Sequence, residues 1–348
     1  MKHLRLSILG FGTVGQGLAE LLAARQHWLR HDYGLAVTLV SVANARHGFI
    51  YREEGLDLPT LLALAAARKP LVDHPGVQHW GNTLEGLQAT SADVVAEVTG
   101  TNLRDAEPGI GHIRAALSQG MHVITANKGP GALAAAELFA LAQKHEVQLR
   151  MEAAVMAGTP VLSTIREGMA GANVTALRGI LNGTTNYILS AMAAGRDYTA
   201  ALAEAQAQGY AEADPTADVE GYDSLAKTLI LAALVFGRPL RPDQVLRRGI
   251  ANLSRNQVQR AIDNDRRIKL VATLRRPSES GTLAASVEPL ELPLSDPLAR
   301  VDGVMNAITI QSDTLPEVTI TGPGAGRLPT AQGLLADLIA IAQQSSKS

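Results

Sequence analysis

Leu4-Arg5-Leu6-Ser7-Ile8-Leu9-Gly10-Phe11-Gly12-Thr13-Val14-Gly15 decides the architecture. A mostly apolar run stops at a glycine, and G-x-G-x-x-G then leads into residues 14–25, where leucine and alanine recur at helical spacing. Each glycine meets a separate demand. Gly10 permits a tight turn, Gly12 lets a pyrophosphate approach the main chain, and Gly15 lets the helix pack close to the strand. The helix N-terminus adds free N–H groups and partial positive charge. A glycine-rich surface turn can carry the same spacing; the position between a first strand and a first helix favours a dinucleotide cradle made of Gly10, Phe11, Gly12, Thr13, Val14 and Gly15.

Outward from this turn, strand-like runs at 37–43, 93–98 and 122–125 alternate with alanine- and leucine-rich stretches. The longest of these, 132–145, ends with Lys144 and His145 near the negative pole of a helix dipole. Such alternation predicts an α/β fold, with a doubly wound Rossmann-type nucleotide-binding domain over residues 1–151. Residues 56–81 carry a weak pattern, with a helix expected after Pro59 and a loop over 70–75. Beyond residue 151 the texture changes. Helix-like runs at 160–171 and 185–194 surround a strand-like run at 174–181, and 268–274, 282–290 and 307–311 read as further strands. An α+β catalytic domain with a mostly antiparallel or mixed sheet is predicted over 152–319. The closing segment, about 320–348, is expected to pack back on the first domain, with a helix over 334–342 and a polar, frayed tail over 343–348.

Composition limits what else the chain can do. Its 348 residues, 46% apolar and 18% charged, suffice for two domains and a sizeable core. A formal net charge of −2 offers no broad positive field, so neither nucleic acid nor a membrane is expected as a partner. The longest apolar stretch, 225–236, is interrupted by Lys227 and falls far short of the roughly 20 residues of a bilayer span. Met1 leads almost directly into strand residues, leaving no room for a signal segment, and a cytoplasmic protein is expected. Cysteine is absent, which excludes disulfides, thiolate metal sites and the thiohemiacetal route of phosphorylating aldehyde dehydrogenases. All nine histidines precede residue 150, so proton transfer in the second half needs another residue type. No His or carboxylate spacing suggests a catalytic zinc.

Preference between NAD and NADP depends on the end of the second strand, Ser41-Val42-Ala43-Asn44-Ala45-Arg46-His47. No carboxylate stands there to bond a ribose 2′-hydroxyl, while Arg46 offers a fork of donors to a 2′-phosphate. NADP is therefore favoured, with NAD possible and Arg46 as a solvated loop arginine the alternative.

Residues 205–227, AQAQGYAEADPTADVEGYDSLAK, crowd Glu212, Asp214, Asp218, Glu220 and Asp223 together. A solvated acidic loop would explain them, and Asp223 with Lys227 would by itself be an ordinary i,i+4 pair. The stretch around Lys227 argues otherwise, because residues 225–235 are apolar almost all round, as in a buried helix. A lysine there is partly desolvated and needs a partner or a task. Of 31 Lys and Arg residues only seven are lysines. Since arginine stays charged and lysine can release its proton, a lysine kept in this helix suits acid/base work.

The same run carries a resemblance. Ala205, Gly209-Tyr210-Ala211, Asp214-Pro215, Asp218-Val219, Gly221, Asp223 and Lys227 stand as in the signature of homoserine dehydrogenases. Val123-Ile124-Thr125-Ala126-Asn127-Lys128, Glu152-Ala153-Ala154-Val155-Met156-Ala157-Gly158, Gly179-Ile180-Leu181-Asn182-Gly183-Thr184-Thr185-Asn186 and Gly322-Pro323-Gly324-Ala325-Gly326 resemble the same family. The likeness covers nearly the whole chain and departs at the C-terminus, where many members continue into a regulatory domain.

The resemblance implies NAD(P)H-dependent, reversible reduction of L-aspartate 4-semialdehyde to L-homoserine in threonine and methionine biosynthesis, with Lys227 as general acid and base. It implies that Glu212 and Asp223 hold the substrate ammonium, that Asp218 and Thr184 belong to the substrate site, and that Lys128 lies near both substrate and cofactor. Thr99 would touch the nicotinamide side of the cofactor, with Gly209, Gly324 and Gly326 lining it. It further implies a monovalent cation, Na⁺ or K⁺, on main-chain oxygens at Glu152, Val155, Ala157 and Thr159, and a homodimer. Residues 182–185 suit a substrate carboxylate at a helix start, with plain capping an equal alternative. Two other functions compete: a reductase of a different amino-acid aldehyde, and a non-catalytic NADP-sensing protein.

Overall fold

The computed structural model describes residues 1–276 and 281–344. The chain divides into two units, residues 1–158 with 326–344, and residues 159–325. In the first, β1 (Lys2–Leu9) runs through the glycine turn into α1 (Thr13–Tyr33) and on to β2 (Leu35–Asn44). α1 is longer than the expected 14–25. It ends at Gly34, whose left-handed backbone (φ 58°) lets its N–H return to Leu29 O.

Next along the chain are β3 (Gly48–Tyr51), α2 (Leu58–Ala66), β4 (Gln78–Trp80), α3 (Thr83–Ala89), β5 (Val94–Glu97), α4 (Gly109–Ser118) and β6 (His122–Thr125). Then come α5 (Lys128–Leu133), α6 (Ala135–Lys144), β7 (Leu149–Arg150) and α7 (Ala153–Met156). β2, β1, β5, β6 and β7 lie parallel, and β3 and β4 extend the β2 edge antiparallel. The chain leaves β1 for β2 on one side and resumes at β5 on the other, so the order reverses between β1 and β5. Ligands of doubly wound sheets bind beyond the strand ends at such a reversal. The single helix expected over 132–145 is instead two, broken at Ala134 (φ −136°, ψ 17°) and with its first turn begun at Lys128.

In the second unit, β8 (Val174–Ile180), α8 (Gly183–Ala193), α9 (Tyr198–Ala207), α10 (Thr216–Val219), α11 (Tyr222–Phe236), β9 (Leu246–Arg247) and α12 (Arg255–Asp263) precede β10 (Arg266–Arg275), β11 (Ala284–Pro293), β12 (Met305–Ser312) and β13 (Val318–Pro323). The sheet order is β13-β12-β8-β10-β11-β9, antiparallel except for β11 with β9. The helix expected over 160–171 forms only partly, with a wide π-type turn at Thr164–Gly168. Gly168 and the positive φ of Gly171 (89°) suit a turn better than a continuing helix.

The last helix, α13 (Arg327–Gln344), belongs to the first unit and reaches well before the expected 334. Its Ala331, Leu334, Leu335, Leu338 and Ile341 share one core with Leu18 and Leu22 of α1 and Leu6 and Ile8 of β1. The end of the expected polar tail, residues 345–348, lies outside the described residues.

Candidate active site

The glycine turn is fixed by what cannot fit beside it. A Cβ on Gly10 would lie 2.5 Å from Val98 O and 2.7 Å from Thr99 N, at a φ of +106° that side chains rarely adopt. One on Gly15 would lie 2.4 Å from Gly10 O, whereas one on Gly12 would meet nothing within 4 Å. Gly10 and Gly15 therefore serve packing, and Gly12 opens the main chain to a ligand. Gly10 N and Phe11 N both donate to Ala43 O (2.9 and 3.0 Å), which ties the turn to β2. Phe11 is buried, Val14 half-buried, and Gly12 and Thr13 are exposed. No side chain caps α1 at Gly12, so its first-turn N–H groups face the turn without a side-chain acceptor.

At the end of β2, Asn44 Oδ1 accepts from Arg46 N (3.0 Å) and His47 N (2.7 Å). Asn44 is spent on shaping this turn, and the side chain of Arg46 is exposed with no ion-pair partner among the described residues.

Beyond β5 and β6 sits a buried polar network. Glu97, fully buried, accepts from Thr99 N (3.2 Å) and from Thr99 Oγ1 on the same oxygen, Oε1. Asn127 Nδ2 donates to Thr99 Oγ1 (3.3 Å), and Asn127 Oδ1 caps α5 by accepting from Gly129 N (3.1 Å). Lys128, half-buried, is the first residue of α5. Glu97 does not stand out in the sequence, although a carboxylate inside the apolar strand Val94–Glu97 demands buried partners.

The second cluster gathers around α11. Its N-cap, Gly221, is left-handed (φ 79°), and residues Ser224 to Ala232 are buried, Lys227 among them at 4% exposure. Lys227 Nζ donates to Leu181 O (2.6 Å) and lies 2.8 Å from Asp223 Oδ2. Asn182 Nδ2 donates to both Asp218 Oδ1 (2.7 Å) and Asp223 Oδ2 (3.0 Å), while its Oδ1 accepts from Thr185 N (2.8 Å) and caps α8. Of the two roles read for residues 182–185, Asn182 takes the capping one, and its amide also joins the carboxylates of Asp218 and Asp223. Burial pushes the Asp218 carboxyl above its ordinary value near 3.8, with the Asn182 bond opposing and the Asp223 charge adding to the rise.

Thr184 Oγ1 donates to Tyr210 O (2.7 Å), tying α8 to the loop that carries Gly209 and Glu212. Glu212 is exposed, and among the described residues its carboxylate has no hydrogen bond or ion pair with the Lys227 cluster. Gly209 is left-handed (φ 74°) with open space around it, and Gly326 has φ +123°. A Cβ on Gly324 would lie 2.0 Å from Asn306 Nδ2, so only glycine fits beside that buried amide. Glu152 is buried, with its N–H on Asp337 Oδ2 (2.9 Å); Val155 is buried; Ala157 takes a positive φ of 52°. Thr159 Oγ1 donates to Pro323 O (2.9 Å). Among the described residues no group of three or more His, Cys, Asp or Glu could hold a metal ion, and no helix is long and apolar enough to cross a membrane.

A doubly wound sheet whose glycine turn lies at the strand reversal is a dinucleotide scaffold, and a shielded amine among carboxylates suits proton exchange with a small cationic substrate. The class is an NAD(P)-dependent oxidoreductase acting on a CH–OH group. Comparison with known proteins narrows it. The family model for homoserine dehydrogenase matches residues 160–339, and that for the homoserine dehydrogenase NAD binding domain matches residues 10–152. An NAD(+)-dependent homoserine dehydrogenase of Pseudomonas canavaninivorans is 40% identical over 100% of this chain and 98% of its own length. A putative homoserine dehydrogenase from Archaeoglobus fulgidus superposes with a TM-score of 0.87 at 33% identity, over 97% of this chain and 99% of its own. A hyperthermophilic archaeal homoserine dehydrogenase in complex with NADPH does so with a TM-score of 0.84 at 28% identity, over 99% and 98%. The chain belongs to the homoserine dehydrogenase family.

Proposed function

We propose that the chain interconverts L-aspartate 4-semialdehyde and L-homoserine with Lys227 as the proton donor and acceptor. The observation that carries this reading is a lysine shielded from solvent in an otherwise apolar helix, gripped by Leu181 O and by Asp223. A bound nicotinamide cofactor supplies the hydride in reduction and takes it in oxidation. As hydride adds to the aldehyde carbon and negative charge grows on its oxygen, Lys227 Nζ gives that oxygen a proton. In oxidation Nζ takes the hydroxyl proton as the C–H bond breaks. Asp223 holds Nζ in place, and Asp218, Asp223 and Glu212 supply carboxylates for the substrate ammonium. The α8 start, with Thr184, supplies N–H groups for its carboxylate.

The residues present fit a dinucleotide, since Gly12 leaves open the side that a pyrophosphate needs and Gly10 and Gly15 admit no side chain. Gly10 to Gly15 would hold the pyrophosphate, Thr99 and Lys128 the nicotinamide end, and Gly209, Gly324 and Gly326 further parts. An exposed Arg46 and no carboxylate at the end of β2 favour NADP over NAD. Main-chain oxygens at Glu152, Val155, Ala157 and Thr159 would hold Na⁺ or K⁺, and the positive φ of Ala157 supports that role, because a strained non-glycine backbone at a ligand site is a common functional device. A cytoplasmic homodimer completes the reading, with light scattering of the purified protein as its check.

The decisive experiment follows NADPH absorbance after addition of L-aspartate 4-semialdehyde. Rapid loss with homoserine formed in equal amount is expected. NADPH binding without oxidation would favour the sensor reading instead.

A further inference from the structure

The Thr99 hydroxyl sits between two groups of opposite and fixed character. On one side is the Glu97 carboxylate, which accepts from both Thr99 N (3.2 Å) and Thr99 Oγ1. On the other is the Asn127 amide, whose orientation is set because its oxygen caps Gly129 N (3.1 Å), so that its NH₂ group faces Thr99 Oγ1 (3.3 Å). A threonine hydroxyl has one proton and two lone pairs. The proton goes to Glu97 and one lone pair to Asn127, leaving a single lone pair.

Other donors lie farther from the Glu97 carboxylate, with Thr125 Oγ1 3.5 Å from Oε2. Thr125 Oγ1 gives its one proton to Glu97 O (2.7 Å) and accepts from Asn127 N (3.0 Å). His112 Nδ1 is 3.7 Å from Oε1, beyond hydrogen-bond distance though within reach of an ion pair with the imidazole protonated. Thr99 itself is half-buried, and its main-chain N lies 2.7 Å from where a Gly10 Cβ would stand, which puts the residue at the rim of the glycine turn.

We propose that Glu97 is a positioning residue that reserves Thr99 Oγ1 as a hydrogen-bond acceptor for the carboxamide N–H of the nicotinamide. The proposal rests on the reading that a nicotinamide cofactor binds beyond β5. Its chemical content is a polarity. Ribose hydroxyls can donate or accept and would not sense which way Thr99 points. The carboxamide NH₂ only donates, and it matches a lone pair but not a hydroxyl proton.

Calorimetric titration with NADP⁺ and with its 3-acetylpyridine analogue, which carries a methyl ketone in place of the carboxamide, reads this directly as a ratio of Kd values. The wild type is expected to bind the analogue roughly ten-fold more weakly. Thr99→Val should bring the ratio close to one, and Thr99→Ser should keep it. Glu97→Met should lower the ratio, while Glu97→Gln should keep it, because an amide oxygen can still accept from both Thr99 groups. A wild-type ratio in Thr99→Val, or in Glu97→Met that melts as a folded protein, overturns the proposal. So does loss of the ratio in Glu97→Gln, which would assign the effect to charge instead of bond direction. Failure of the wild type to bind NADP⁺ or NAD⁺ at all would overturn the nicotinamide reading, an outcome distinct from intact binding with an unchanged ratio.

Discussion

The glycine turn and the Lys227 cluster solve opposite problems. At residues 10–15 the structure removes side chains so that backbone can approach a ligand, and one of the three glycines, Gly12, has open space around it. At residues 181–227 it buries an ammonium beside half-buried carboxylates and must satisfy them together: Leu181 O and Asp223 hold Lys227 Nζ, and Asn182 joins Asp223 to Asp218. A site built on backbone tolerates little change in packing but little depends on charge; a site built on buried charge depends on every partner.

The sharpest way to test that contrast is to remove the ammonium. Lys227→Met should lower kcat by about 10³-fold in single-turnover assays while the Kd for NADPH stays within about two-fold. A residual rate above about a tenth of wild type would move proton transfer to another group. Within the turn, Gly10→Ala should cost about 2 kcal/mol or more in urea unfolding, because the new Cβ meets Val98 O at a forbidden φ. Gly12→Ala should cost under about 1 kcal/mol yet weaken dinucleotide binding. Equal stability losses at the two positions would break the division between packing and ligand glycines.

Asn182→Ala removes a cap and the shared donor of two carboxylates. We expect a stability loss of about 1 kcal/mol and a higher KM for homoserine, the second effect exceeding what the first explains. Arg46→Ala should reduce preference for NADP over NAD by roughly ten-fold in ratios of kcat/KM, leaving NAD kinetics unchanged. The smallest effect concerns pH. Burial raises the Asp218 carboxyl above 3.8, so the native state holds this proton more tightly than the unfolded chain, and the contribution to stability falls as pH rises from about 3.8 through the native value. Asp218→Asn, which keeps the acceptor for Asn182, should therefore be slightly more stable than wild type at neutral pH and lose that advantage as pH drops toward 4.

The two regions also differ in how much their residues disclose. The turn is legible because its constraint is local: a strand, three glycines at set spacing and a helix leave few other structures. Lys227 is legible because its surroundings along the helix are apolar. Its acceptor Leu181 O is not, since a carbonyl carries no residue identity and lies 46 positions away. Asn182 stands in a block that reads either as a cap or as a site for a substrate carboxylate, and only its two amide ends in space show that it caps α8 while bonding Asp218 and Asp223. The β3 and β4 strands escape a sequence reading because each has only three or four residues, and the helix expected over 160–171 fails to form fully because Gly168 and Gly171 near its end favour a turn. Glu97 carries a usable signal, a charge closing an otherwise apolar strand, but its meaning depends on Thr99 and Asn127 folding over it.

α13 has a consequence for how the molecule comes into being. Its leucines complete the core under α1, yet they are made after the whole of residues 159–325. On the ribosome the core of the nucleotide-binding unit cannot be completed until α13 emerges, whereas the intervening unit is already synthesised in one continuous piece. A nascent chain stalled before residue 327 should present an uncovered oily groove along α1, a surface for chaperones to grasp.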